Sequence, residues 1–312
     1  MGSEIINKLK RWGPERCESL GLEDSLAYCR RLTLGQYENF SVLSRFVPDR
    51  MRDGISAVYA YCRWTDDLSD ESGSQDLALE RLAWWREELI ACIAGDPRHP
   101  VFVALGSVIT QHGLDSAPFH HLLDAFEQDQ RVTRYATWDE LLGYCRGSAD
   151  PVGRLVLQLA GSPMDQEQLK MSDAVCTGLQ LANHWQDVRR DILDRDRIYI
   201  PHDMTDESDF ESRLVQTATN GHAPDREFLE IYRGVMRSLL ERTSPLLDQV
   251  EPLLASVPAD VRPMLWLFAA GGQTILNLIA RSDHETVLYR VSISKFQKAW
   301  LALRASRQGR VR

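Results

Sequence analysis

The 312-residue chain has no CxxC pair, no glycine-rich phosphate loop, no internal repeat and almost no alternating strand pattern. Each absence excludes a class. Cys17, Cys29, Cys62, Cys92, Cys145 and Cys176 lie far apart, and residues 1–16 mix charges without an apolar core. Neither a disulfide framework nor a secretory signal is therefore expected, and the chain reads as cytoplasmic with reduced thiols. No GxGxxG follows a strand, so the dinucleotide fingerprint is missing. No apolar run reaches the roughly 20 residues of a spanning helix. The nearest, Met264–Ala280, is interrupted by Gly271-Gly272-Gln273 and Asn277 and reads as a buried core helix. Acidic residues are absent from 286 to 312, where Arg290, Lys295, Lys298, Arg304, Arg307, Arg310 and Arg312 stand alone.

The rest of the chain is acidic. The net charge is −9, which speaks against non-specific nucleic-acid binding, and the first 285 residues hold 29 basic against 45 acidic side chains. The basic tail is either a solvated, frayed terminus or a patch that rests on anionic lipid. With 44% hydrophobic and 26% charged residues the composition is that of an ordinary globular protein.

What is present is helical period. Apolar residues recur at three- and four-residue steps through 76–94, 101–111, 119–129, 138–146, 153–160, 165–193, 225–256 and 261–280. Turn chemistry separates them, at Gly95-Asp96-Pro97, Gly113-Leu114-Asp115, Gly161-Ser162-Pro163, Asn220-Gly221 and Val257-Pro258. Asp76 is placed to start one helix, and Thr137 with Glu140 has capping-box spacing for another. Arg197-Ile198-Tyr199-Ile200-Pro201 is too short and isolated to build a sheet. The expectation is an all-α protein with one domain over 1–312, its core at 25–298 and a basic tail at 299–312.

Two carboxylate groups carry the chemistry. In Asp66-Asp67-Leu68-Ser69-Asp70, Asp66 and Asp70 share a helix face, where like charges are mutually unfavourable. Either cations sit there or the cluster is a solvated helix end. Further on, Asn183, Asp187 and Asp191 form an i, i+4, i+8 stripe about 12 Å long, which Gln180 extends backwards. Leu181, Trp185, Val188 and Ile192 occupy the opposite, core side. Oxygen donors of this kind suit Mg²⁺, which often bridges to substrate phosphates. Arg63, Arg189, Arg190, Arg195 and Arg197 lie beside the two groups, as ion pairs or as ligands for diphosphate oxygens. Phe40, Tyr59, Tyr61, Trp64, Tyr144 and Tyr199 either line an apolar pocket or form plain core. His120, His121, His184 and His202 show no metal-ligand spacing.

An all-α chain with an early DDxxD and a later NxxxDxxxD resembles the squalene/phytoene synthase family, from about Ser25 to Lys298. Tyr59-Ala60-Tyr61-Cys62-Arg63, the segment from Tyr144 to Gly153, and the RxYxP run from Arg197 to Pro201 are similar to further blocks of that family, in the same order. The resemblance implies an isoprenoid-synthase fold around a central cavity, Mg²⁺ and a prenyl diphosphate substrate. It makes Asp66, Asp70, Asp187 and Asp191 metal ligands assisted by Asn183. It gives Arg63, Arg197, Tyr199 and Arg290 to diphosphate, and Phe40, Tyr59, Tyr144 and Gln180 to the cavity.

Tyr37-Glu38-Asn39-Phe40-Ser41-Val42-Leu43-Ser44 is similar to the YENF-x-V-x-S block of the hydroxysqualene synthase branch. That branch implies release of diphosphate from presqualene diphosphate and capture of the rearranged cation by water. Ser41, Ser44 and Arg45 then join the substrate-binding set, and Glu38 or Asn39 positions the water. Asp150 stands where the family has Asn, and Gln186 and Gln273 where condensing relatives have an arginine and an aromatic. The alternatives are a head-to-head farnesyl diphosphate condensing enzyme and a non-enzymatic assembly factor of the same superfamily. The implied partners are enzymes that supply the diphosphate and that reduce the product, with peripheral membrane contact through the tail.

Overall fold

The structure, a computed structural model, describes residues 3–35, 45–221 and 225–308. Among them there is no β-strand, and an isolated backbone bridge joins Trp12 to Cys17. The described α-helices are α1 (Ser3–Trp12), α2 (Leu22–Gly35), α3 (Arg52–Asp70), α4 (Gln75–Ile93), α5 (Pro100–His112), α6 (Ala117–Gln128) and α7 (Trp138–Ser148), followed by α8 (Asp150–Ala160), α9 (Gln166–Arg195), α10 (Phe210–Asn220), α11 (Arg226–Asp248), α12 (Val250–Ser256), α13 (Arg262–Arg281) and α14 (Lys295–Gln308). They pack as two compact units, Met1–Arg131 with Pro151–Met164, and Val132–Asp150 with Asp165–Arg312.

Helix starts follow local chemistry. Thr137 Oγ1 accepts from the Glu140 N–H at 3.2 Å, as the spacing predicts, while the Glu140 carboxylate reaches one residue beyond the cap and accepts from the Ala136 N–H at 2.8 Å. At α4 the cap is Ser74 rather than Asp76: its hydroxyl accepts from the Leu77 N–H, and Asp76 falls in the first turn. The period predicted over 225–256 breaks at Gln249 into α11 and α12. Pro252, with no N–H to return to the Asp248 carbonyl, falls in the first turn of α12, where a proline is tolerated, whereas Pro245 is carried inside α11. The segment from Tyr144 to Gly153 is nearly all helical, contributing to α7 and α8.

In the first unit α3 is the hub, packed on α2, α4, α5 and α6. Ala57, Tyr61, Trp64 and Leu68 recur at helical spacing and are fully buried. Gly54 permits a close approach, since a Cβ there would lie 2.4 Å from Leu159 Cδ2 of α8. Trp85 stacks on Trp64 and packs against Phe102 at 4.4 Å between ring centroids, while Tyr61 meets Phe119 edge-on at 5.3 Å. The polar atoms of these rings are satisfied: Trp64 Nε1 donates to the Tyr28 hydroxyl, Trp85 Nε1 to Thr65 Oγ1 and the Tyr61 hydroxyl to the Phe119 carbonyl. Tyr61 and Trp64 are therefore core side chains and line no pocket.

In the second unit the hub is α9, packed on α7, α10, α11, α12 and α13. Gly178 and Gly272 admit Leu247 between α9 and α13: a Cβ at either would come within 3.0 Å and 3.2 Å of its side chain. By length and composition α13 could cross a membrane. It nevertheless turns Met264, Trp266, Ala269, Ile275 and Ile279 into the unit's core, as the sequence predicts.

His99 sits fully buried against Trp64 and Trp85, with ring centroids 4.5 and 4.8 Å away, and caps α5 by accepting from the Val101 N–H. Burial pushes its pKa down from 6.5 to about 3. The unfolded chain thus binds a proton that the folded chain refuses. Stability from this group is complete above pH 6.5 and declines as the pH falls towards 3. His99→Phe is expected to be about 1 kcal/mol less stable at pH 7 through the lost cap, yet to lose about 2 kcal/mol less between pH 7 and pH 5. Urea midpoints at both pH values check this; parallel losses in the two proteins would refute it.

Candidate active site

The end of α3 presents its three aspartates differently. Asp66 and Asp70 are half-buried, one turn apart on the accessible side. Asp67 points inward at 2% exposure, where Lys8 Nζ of α1 donates to Oδ2 at 3.0 Å and Arg63 Nη2 lies 2.5 Å from Oδ1. Arg63 also donates to Asp66 Oδ2 at 3.0 Å. Ser69 Oγ donates to Asp70 Oδ1 at 3.4 Å and accepts from Gln130 Nε2 at 2.7 Å. Arg63 thus ties the motif together from within the same helix.

On α9, Asn183 is exposed, whereas Asp187 and Asp191 are buried at 6% and 5%. Two buried carboxylates one turn apart require compensation. Asp187 receives Arg190 Nη2 at 2.6 Å and both Nε and Nη2 of Arg290. Asp191 receives Arg195 Nη1 at 3.3 Å. Burial first, and the neighbouring Asp187 charge second, raise the Asp191 pKa to about 6. Arg290 belongs to a non-helical strap before α14 that is stitched to α9 at two further points. Gln186 Nε2 donates to the Val291 carbonyl at 2.7 Å, and Arg189 Nη1 to the Leu288 carbonyl at 3.1 Å.

An aromatic stack adjoins this group. The RxYxP run lies along 133–136, with the Ile198 N–H donating to the Thr133 carbonyl and the His202 N–H to that of Tyr135. It carries Tyr199 onto His184, ring centroids 3.6 Å apart and nearly parallel. Tyr135 and Tyr144 continue the group, their ring centroids 6.0 and 5.9 Å from that of Tyr199 and their planes within about 30° of it. Burial and Arg197 push the His184 pKa down to about 3, so its ring is neutral. Asp191, Arg197, Tyr199 and His184 share the lining of one small hollow in this unit.

The squalene/phytoene synthase family pattern matches residues 34–297. The chain belongs to the squalene/phytoene synthase family. That family comprises isoprenoid synthases acting on prenyl diphosphates. The chain is 36% identical over 219 residues to the hydroxysqualene synthase of Zymomonas mobilis subsp. mobilis, covering 67% of this chain and 69% of that one. It is 29% identical over 287 residues to the phytoene synthase of Arthrospira platensis, covering 88% and 90%. Among solved structures, squalene synthase HpnC from Alicyclobacillus acidocaldarius matches with 39% identity and a TM-score of 0.72, over 84% of this chain and 95% of that one. The all-α architecture is accordingly the isoprenoid-synthase fold.

For a synthase of this family the donors on both hubs are all oxygen, in carboxylate pairs spaced one helical turn. That set fits a hard divalent cation, which takes one or two carboxylates and fills its remaining positions with water or phosphate oxygens. Among the described residues no three His, Cys, Asp or Glu side chains come together closely enough to hold a metal ion by themselves.

The second unit brings Asp187, Asp191, Arg197, Tyr199, Tyr144 and Arg290 into one neighbourhood, and the first brings Arg63 to Asp66. Gln180 and Tyr59 are half-buried on the hubs, and Arg45 is exposed. Glu38, Asn39, Phe40, Ser41 and Ser44 lie outside the described residues. Asp150 is buried and accepts from Thr177 Oγ1 at 3.0 Å, so it serves as a structural acceptor. Gln273 accepts from Ser244 Oγ at 3.2 Å between α13 and α11. The sequence reading missed the anchor at Asp67 and the tie at Gln186. Asp67 could have been found, since it follows Trp64 by three on the core face. Gln186 could not, because its partner is a main-chain carbonyl 105 residues away.

Asp67→Ala is expected to lower stability by about 3 kcal/mol, because Lys8 and Arg63 lose the buried anion between them. A urea midpoint equal to the parent's would contradict the anchor.

Proposed function

We propose that this family member is a hydroxysqualene synthase taking presqualene diphosphate. The observation that carries the branch is its higher identity to hydroxysqualene synthases than to phytoene synthases. Breaking the C–O bond leaves the electron pair on the departing diphosphate and a cyclopropylcarbinyl cation on the C30 chain. After rearrangement water supplies the oxygen of the alcohol and releases one proton. In this reading Asp66, Asp70, Asn183, Asp187 and Asp191 would hold Mg²⁺, whose chemistry is neutralisation of the leaving diphosphate. Arg63, Arg197, Tyr199 and Arg290 bind diphosphate oxygens, which Arg can grip bidentately. Glu38 or Asn39 positions the capturing water, and Tyr59, Tyr144, Gln180, Phe40, Ser41, Ser44 and Arg45 shape the substrate's surroundings. Both units, residues 1–312, count as a single isoprenoid-synthase domain of a cytoplasmic enzyme that meets its greasy substrate at a membrane.

The 39% identity to a protein described as a squalene synthase favours a second reading, condensation of two farnesyl diphosphates. Incubation separates the two. With Mg²⁺ and presqualene diphosphate, mass spectrometry is expected to find hydroxysqualene, while farnesyl diphosphate alone persists. Consumption of farnesyl diphosphate alone would transfer the assignment to the condensing reading, and no turnover of either would leave a non-enzymatic family member. Asp66→Asn and Asp187→Asn are each expected to lower kcat at least a hundredfold with the fold retained by circular dichroism. Parent-like turnover in either variant would remove that aspartate from the machinery.

A further inference from the structure

We propose that α14 is a docking helix for an anionic lipid bilayer. The helix has two opposite faces. Leu301 and Ala305, at 5% and 0% exposure, pack against α13. On the other side Phe296, Trp300 and Leu303 stand at i, i+4 and i+7 with 90%, 55% and 56% of their surfaces in solvent. Phe296 is the most exposed large apolar side chain among the described residues. A stripe of this kind on a helix whose other face is already buried is unpartnered.

Charge decides the occupant. Lys295, Lys298, Arg304 and Arg307 are the charged residues of α14, and no acidic side chain occurs from 286 to 312. Arg304 lies over the Trp300 ring at 4.7 Å and the Trp266 ring at 5.2 Å, which fixes Trp300 at the border of the apolar stripe with a cation beside it. Aromatic and leucine side chains on the open face of a helix whose charged residues are all lysine or arginine suit the boundary between headgroups and acyl chains. A cavity of about 290 Å³ opens beside the stripe, with Trp300 and Leu301 in its lining together with Arg281, Asn277 and Gln297. It offers hydrogen-bond donors for a lipid phosphate next to apolar wall. A second copy of the chain is the weaker occupant. Two such helices would oppose like charges, and three side chains fall well short of the roughly 800 Å² per partner of a stable interface. This surface deepens the membrane contact of the proposed function, and it depends on no particular prenyl substrate.

The test is flotation of the full chain with vesicles of phosphatidylcholine and phosphatidylglycerol, against vesicles of phosphatidylcholine alone. The parent is expected to float with the anionic vesicles, at least tenfold more than with neutral ones. The triple variant F296Q/W300Q/L303Q, which replaces only exposed side chains, is expected to lose at least tenfold in bound fraction while its circular dichroism and its turnover in detergent stay at the parent's. Arg307→Gln with Lys295→Gln is expected to weaken binding and its salt dependence together. Equal flotation of parent and triple variant, no flotation of either, or a parent dimer that the triple variant abolishes in sedimentation would each overturn the proposal. Turnover in detergent is read separately, so failure of the docking surface and failure of the proposed reaction remain distinguishable.

Discussion

Each unit of this protein depends on one helix that carries carboxylates into packed protein. Burying a charge is costly unless it is paired, and the cost rises with the number of elements crowding the helix. Both α3 and α9 are hubs, each packed against several other helices of its own unit. Their inner faces are aromatic and aliphatic, and their acidic motifs begin where that packing meets the polar side. The surroundings of each motif are arranged around this requirement.

The two hubs meet it in different ways. On α3 the compensation is local: Arg63 reaches Asp66 and Asp67 along its own helix, and Lys8 arrives from α1 to complete the inner pair. Asp66 and Asp70 are thereby left on the accessible side. On α9 the compensation comes in part from far along the chain. Arg190 and Arg195 serve from the helix itself, but Arg290 is brought by the strap that Gln186 and Arg189 stitch down by its carbonyls. The strap runs straight into α14, so the segment that neutralises Asp187 also places the basic helix on α13.

Much of the fold was legible from period and turn chemistry. Helical steps, the Thr137–Glu140 box and the glycine and proline breaks placed most helices within a few residues. The break at Gln249 is not legible from the prolines alone, since Pro245 lies inside α11 and Pro252 falls just past the break. The site was legible as residue types at helical spacing, which require only the 3.6-residue repeat. The aromatic residues were not separable into pocket and core, because that depends on which face the neighbouring helices cover. Tyr61 and Trp64 went to the core, and Tyr144 and Tyr199 to the stack beside Asp191.

The sequence by itself determined the helical class, the two carboxylate groups, the family and the unbroken positive charge of the last segment, since all of these are written in local spacing or composition. The tertiary structure alone decided that Asp67 faces inward as an anchor, that His184 lies neutral under Tyr199, and that Gln186 binds a carbonyl of the strap. It alone divided the final helix into a face that packs and a face that does not. Those outcomes rest on contacts between segments up to about a hundred residues apart, and no local pattern encodes which backbone atom or ring will be waiting there.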